Sequence, residues 1–505
     1  MKNKIVFLNL LLIFLLSVNC CFAEDNSNVI ASSSANSTKQ KSGSADLLNV
    51  NSEIGNKLDR IDYPEPEKIL PIVKDTKKED SSNVIKGSVE KNIDITLEEC
   101  IRLALGNNPR IREAIEEISA SDARIKQAWS NYFPQLNWIT NGSKNRNLLF
   151  GDAIARADAT YTYYILGQIS LKQMIYDFGV TQNQVTIKKL GYKTAQEALT
   201  SVVNDVIKET KDKYYTLLFA YEDLKVKQDN VDKFELFYNQ SKAFYEIGMK
   251  PKVDVTIAEV NLSNAKLQLI QAQKNVSLAV ASLNNSMGMP YITNYNVQER
   301  LKYAPCDITL DESIEIAKDS RPDWKIAKLK VETANQTLKL TKKSYFPQIT
   351  FQGNVAIGGK HPTSNWGYVL GGYLDFPTVN VMKINNEIKE AKALYSKQMA
   401  TSLKSEQDII LEIQTSYYNL VEKKNQLPVA FLGMKQAKQN YDISFGRYKV
   451  GEGNPTELKD AQISYLNAQL SYYNALYQYN SAKATLEKAI GKNIMFGEEV
   501  VDLVQ

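Results

Sequence analysis

Side chains able to do chemistry are few in this chain. There is one histidine, His361. Zinc sites, and Ser/His or Cys/His machinery needing more than one imidazole, are therefore not expected. His361 sits in the polar segment Gly358-Gly359-Lys360-His361-Pro362, a surface loop where an imidazole is solvated. Cys100 and Cys306 are either a disulfide or two thiols, because the sequence does not fix whether they approach. No motif supplies a nucleophile, a base and an acid together, so neither an enzyme activity nor a cofactor is expected. One acidic pair stands apart. Glu457 and Asp460 are spaced i, i+3, so on a helix they share a face. By themselves they read as carboxylates that favour a helix N-terminus.

Composition narrows the class further. Of 505 residues, 61 are Lys or Arg and 57 are Asp or Glu, a formal charge of +4. No basic cluster unbalances it, so nucleic acid is not an expected partner. Mean hydropathy is −0.34, and beyond the N-terminus no apolar run is long enough to span a bilayer as a helix. A polytopic helical transporter is therefore excluded. Lys2 and Lys4 precede an apolar stretch from Ile5 to Val18, and Cys21-Phe22-Ala23 offers small residues flanking a cut after Ala23. This is the pattern of a secretory signal peptide over 1–23. A lipidated Cys20 or Cys21 is the alternative, although Asn19 is a poor residue before such a cut. Residues 24–92 are polar, small and charged, as in Lys74-Asp75-Thr76-Lys77-Lys78-Glu79-Asp80. Such a composition cannot bury enough apolar surface to offset chain entropy, so the stretch reads as a disordered tether.

The elements that position these residues are written twice. Ile95-Thr96-Leu97-Glu98-Glu99 recurs as Ile308-Thr309-Leu310-Asp311-Glu312, an offset of 213 residues. Pro109 matches Pro322, and Tyr132-Phe133-Pro134-Gln135-Leu136 matches Tyr345-Phe346-Pro347-Gln348-Ile349, at the same offset. Tyr245-Glu246-Ile247-Gly248 matches Tyr448-Lys449-Val450-Gly451 at 203. Two copies with one order of elements imply a single pseudo-symmetric fold. The expected division is repeat 1 over 93–290, a linker over 291–307, repeat 2 over 308–492 and a C-terminal tail over 493–505. Each copy has a short helix (95–106, 308–318), a medium helix (109–131, 322–344), two strands, a long rod (181–246, 384–449) and a returning helix (252–287, 455–490). Expected strands are 134–144 with 161–176, and 347–357 with 366–376. The rods carry a stripe stepping by three and four: Val203, Val206, Thr210, Tyr214, Leu217, Tyr221, Leu224, Gln228, Val231, Phe234. That is coiled-coil spacing, with aromatic knobs. Packing stripes on the returning helices are Ala258, Leu262, Ala265, Leu267 and Ala461, Tyr465, Ala468. Gly248 and Gly451 end the rods as hairpin tips, and Pro428 should bend or locally break the second rod.

The strands alternate apolar with polar, carry aromatics near their ends (Trp138, Tyr176, Trp366, Phe376) and are about 11 residues long, enough to cross a bilayer when tilted. A small water-soluble sheet is the plainer reading of the strands. Four strands cannot close a barrel, so a membrane sheet would have to be shared among identical chains. The rods are too polar for lipid and must project as packed coiled coils, either a tube or a solid stalk.

The duplication, the paired Tyr-Phe-Pro-Gln motifs, Ser170-Leu171-Lys172-Gln173-Met174-Ile175-Tyr176-Asp177-Phe178-Gly179 and Arg447-Tyr448-Lys449-Val450-Gly451 together resemble TolC-like outer-membrane efflux proteins over about 93–492. The resemblance implies a mostly α fold with a small β part. Duplicated helical hairpins would form an α-barrel, and four strands per chain would join a shared trimeric outer-membrane β-barrel. It implies a homotrimer in the cell outer membrane, in contact with its lipid, with a large periplasmic helical part. The implied role is the passive exit duct of a tripartite efflux or type I secretion system. It would dock a periplasmic adaptor protein and an inner-membrane pump of the RND, ABC or MFS type. A secreted or surface coiled-coil structural or adhesin protein without a channel is the alternative. In this family, Glu457 and Asp460 correspond to acidic rings at the closed periplasmic entrance. Tyr448 corresponds to a latch tyrosine that bonds an acidic residue of the first repeat, here Asp254. The family's latch arginine falls at Gly453, and Arg447 is near it but is not the matching position. The second strand-to-rod junction, Leu374-Asp375-Phe376-Pro377-Thr378-Val379, lacks the glycine that follows Asp177-Phe178.

Overall fold

Thr96 and Thr309 begin the same structure twice. Each hydroxyl accepts from the N–H three residues on, of Glu99 and Glu312, and each glutamate in turn accepts from the threonine N–H. Such reciprocal caps satisfy donors that a helix leaves free at its start. The computed structural model describes residues 93–146, 160–289, 295–296, 300–359, 365–376, 380–450 and 452–492. The expected signal peptide, tether and C-terminal tail lie outside the described residues, as do His361, Gly451 and residues 377–379 of the second junction.

A two-residue strand, β1 (Ile93–Asp94), precedes α1 (Leu97–Asn107) and α2 (Pro109–Trp129). Strands β2 (Gln135–Arg146) and β3 (Thr160–Tyr176) lead into the rod α3 (Val180–Glu246), and α4 (Lys252–Ser286) returns. β4 (Tyr295–Asn296) pairs in parallel with β1. The second copy follows with α5 (Leu310–Ser320), α6 (Pro322–Lys342), β5 (Gln348–Gly359), β6 (Asn365–Asp375), α7 (Val381–Lys449) and α8 (Pro455–Ile490). The 67 residues of α3 make a rod of roughly 100 Å. α7 continues as one helix through Pro428, so of the expected bend or local break the break does not occur.

The two copies keep one joint and change its chemistry. Asn108 Nδ2 donates to the Ser286 carbonyl at 2.8 Å, tying the start of α2 to the end of α4. At the corresponding place Arg321 Nη1 donates to the Ala489 carbonyl at 2.9 Å, and its guanidinium also pairs with Asp323 and Glu412.

Four strands form one antiparallel sheet in the order β2-β3-β5-β6. Its register runs Trp138↔Ile169↔Val355↔Tyr368 and Leu136↔Leu171↔Gly353↔Leu370. One face is thus apolar across all four strands, and Leu136, Trp138, Ile169, Val355, Tyr368 and Leu370 are exposed on it. The next row, Asn137↔Ser170↔Asn354, belongs to a more polar opposite face. β2 and β6 are edges. β3, at 17 residues, begins one residue before the expected 161–176 and pairs β2 along one side and β5 along the other.

The junction of strand and rod is a small knot. Buried Asp177 accepts from the N–H groups of Gly179 at 2.9 Å and Thr181 at 2.6 Å, capping α3. Phe178 stacks on Phe346 at 5.3 Å, and Lys343 Nζ donates to the Gly179 carbonyl at 2.7 Å. Cys100 and Cys306 are both buried and are not bonded to each other.

Packing corrects the predicted stripes in places. Gln228 is exposed, and Val226 and Asn230 take the seam there. The next stripe positions, Val231 and Phe234, are buried again, so the departure is local to Gln228. On α4 the buried positions include Ala258, Ala265, Ala272 and Ala279, spaced by sevens, whereas Leu267 is exposed.

Candidate functional site: the hairpin tips

Each hairpin turns on backbone geometry. At the end of α3, Gly248 has φ +78°, its N–H donates to the Tyr245 carbonyl at 2.9 Å, and Met249 N–H donates to Phe244 at 2.8 Å. This is a Schellman closure, in which a left-handed residue returns orphan carbonyls to donors. At the end of α7, the N–H groups of Glu452 and Gly453 both donate to the Arg447 carbonyl, at 3.1 and 3.0 Å. Gly453 lies so close to the helix end that a Cβ there would stand 2.6 Å from the Tyr448 nitrogen and 2.7 Å from its Cα. No larger residue fits unless the turn opens. Asn454 then caps α8 by accepting from Thr456 N–H at 2.9 Å, with Pro455 as its first residue.

Glu457 and Asp460 follow on α8, both exposed. Glu457 lies in the first turn, where its charge suits the helix dipole. Its Oε1 also accepts from Arg447 Nη1 at 3.0 Å, across the turn. Tyr448 is buried (1% exposed) and its hydroxyl shares a 3.0 Å hydrogen bond with Ser241 on α3. Its ring packs on Phe237 and Phe244, with centroids 5.1 and 6.1 Å away. Burial pushes the Tyr448 phenol up, the Ser241 bond works against that, and the half-buried Asp254 adds to it. Asp254 is therefore near Tyr448, while the hydroxyl's hydrogen-bond partner among the described residues is Ser241.

The tip is the lower end of a seam between α3 and the second hairpin. Lys211 Nζ meets Glu487 Oε2 at 2.5 Å, both buried; Ser481 donates to Asp212 at 2.8 Å; and Phe219 stacks on Tyr477 at 5.6 Å. Gln462 donates to Asn230 at 2.8 Å, and Lys233 Nζ lies 5.1 and 4.7 Å from the ring centres of Tyr441 and Tyr465. Burial pulls the Lys211 and Lys233 ammoniums down. Val231, Phe234, Phe237, Tyr441, Leu458 and Ala461 fill the core between these contacts.

Three features escaped the sequence reading: Ser241, the close approach of Gly453, and the pairing of Arg447 with Glu457. Only the last left a signal, opposite charges on either side of a glycine-rich turn. Among the described residues no helix is long and apolar enough to cross a membrane, and no cluster of metal-ligating side chains occurs.

The family model described as outer membrane efflux protein matches residues 100–289 and 313–492, one stretch in each repeat. The toluene efflux pump outer membrane protein TtgC of Pseudomonas putida is 22% identical over 415 residues, covering 79% of this chain and 83% of that protein. The toxin and drug export protein A of Aggregatibacter actinomycetemcomitans is 21% identical over 347 residues, 66% of this chain and 72% of its own. The crystal structure of the Campylobacter jejuni CmeC outer membrane channel superposes with a TM-score of 0.68 at 17% identity, covering 86% of this chain and 98% of that one.

Proposed function

This chain belongs to the outer membrane efflux protein family and is an outer-membrane exit duct, and we propose that three copies build that duct together. The observation that carries the proposal is the sheet. Its apolar face is in register across four strands and exposed, and among the described residues neither of its edges pairs with a further strand. A sheet in lipid cannot leave edges unpaired, and four strands are too few to close. Pairing β6 of one copy with β2 of the next satisfies both, with twelve strands in all. The rods then continue as a periplasmic tube, and the tips lie at its inner end. A secreted stalk or adhesin has no use for such a sheet.

The duct works with a periplasmic adaptor protein and an inner-membrane pump. Names of relatives that refer to toluene efflux and to toxin and drug export support small molecules or proteins as cargo. In the trimer Glu457 and Asp460 form carboxylate rings around a narrow axis, a constriction that favours cations. Crosslinking in native outer membranes tests the assembly. It should trap trimers, and an extracted monomer that keeps its full strand content would refute the shared barrel. Glu457→Ala with Asp460→Ala tests the constriction. Cation selectivity and block by multivalent cations should both fall in planar-bilayer recordings, and unchanged recordings would leave the two carboxylates as helix-capping residues only.

A further inference from the structure

We propose that Arg447 is a positioning residue that sets the charge of the constriction by neutralising Glu457 within the same chain, leaving Asp460 as the ring that meets cations. The inference rests on reading the tips as the constriction. Arg447 is held twice. Its carbonyl accepts the N–H groups of Glu452 and Gly453, and its guanidinium spans the turn to Glu457 at 3.0 Å. The backbone bonds fix where the side chain starts, so the ion pair belongs to the closed form of this turn.

Two consequences follow for a threefold axis. Six carboxylates converging without counter-charge would repel and oppose closure. With Arg447 in place, each tip brings one paired and one unpaired carboxylate. The paired Glu457 attracts a passing cation weakly, because the guanidinium beside it repels the same ion. Asp460, one turn further along α8, shares Glu457's face but is not part of this ion pair. Gly453 closes off the other way of placing a cation here. Any side chain at that position would have to displace the Tyr448 backbone.

The experiment titrates La³⁺ against conductance in planar bilayers holding the purified full-length protein. Arg447→Gln uncovers Glu457 in each of the three copies, so the half-blocking concentration should fall at least about tenfold, since a single added unit charge already acts on a trivalent ion on that scale across several ångströms of water. Arg447→Lys should restore the wild-type value, and so should Arg447→Gln combined with Glu457→Gln. Glu457→Gln alone leaves the guanidinium uncompensated and should raise it about tenfold, and Asp460→Asn should raise it likewise, on the same scale. If Arg447→Gln leaves the block unchanged while Asp460→Asn relieves it, Arg447 does not set the charge and the constriction reading stands. If Asp460→Asn with Glu457→Gln also leaves the block unchanged, the tips do not line the constriction, and the inference falls together with that reading.

Discussion

The Tyr448–Ser241 hydrogen bond gives a quantitative handle on closure. Tyr448→Phe removes the hydroxyl and keeps the ring among Phe237 and Phe244, so the change is confined to one bond. A buried neutral hydrogen bond contributes about 1 kcal/mol net, and more when the remaining partner is left unsatisfied. About 1 kcal/mol per chain shifts an open-to-closed ratio roughly fivefold. If three tips open together, the shift is about 3 kcal/mol, or roughly a hundredfold. Ser241→Ala should do nearly the same from the other side. The double variant should open less than either single one, because replacing both partners with apolar groups leaves neither donor nor acceptor stranded. Single-channel conductance and open probability in planar bilayers read this directly. The reasoning is refuted if Ser241→Ala behaves as wild type while Asp254→Asn opens the channel as far as Tyr448→Phe. In that case Tyr448 is held by Asp254.

Other consequences are as direct. Gly453→Ala places a methyl group 2.6 Å from backbone nitrogen and should cost the closed turn about 1–3 kcal/mol. Faster proteolytic cleavage between 447 and 457 would show it, and Gly453→Arg should raise conductance, since it cannot form a latch without breaking the turn. Glu487→Gln removes the carboxylate that pairs with the buried Lys211 ammonium and should cost about 3–5 kcal/mol. The thermal midpoint of the detergent-solubilised protein should drop, and Lys211→Met with Glu487→Met should recover most of the loss. An unchanged midpoint for the single variant would mean that water reaches the pair.

Most of the fold was legible because it was written twice. Offsets of 213 and 203 placed every long helix to within three residues at each end, and alternation placed the strands. Legibility stopped where register between helices decides the outcome. Gln228 sits at a stripe position by spacing, yet it faces outward while Val226 and Asn230 on either side of it are buried. Leu267 looks like a packing residue, yet alanines spaced by sevens do the packing within the chain. Pro428 does not interrupt its helix, which continues through it. At the tips, spacing placed Glu457 and Asp460 on α8. It could not show that Arg447 reaches Glu457 or that Ser241 meets Tyr448, since 207 residues separate the latter pair. Gly453 read as a missing arginine, and the backbone shows why a glycine stands there.

The seam between α3 and α8 admits one alignment. Were α8 to slide one heptad along α3, Lys211 would come opposite Asn480, whose amide already donates to the carbonyls of Lys302 and Leu476. Glu487 would lose its counter-ion in the same step, and an unpaired buried charge costs several kcal/mol. A zipper of leucines and alanines alone would tolerate such a shift. Axial slippage is thus blocked high on the rods, whereas the contacts nearer the tips, Asn230–Gln462 and Ser241–Tyr448, are uncharged and cost less to part. The hold of α3 on the second hairpin is therefore firmest near Glu487 and eases toward the tip where Asp460 stands.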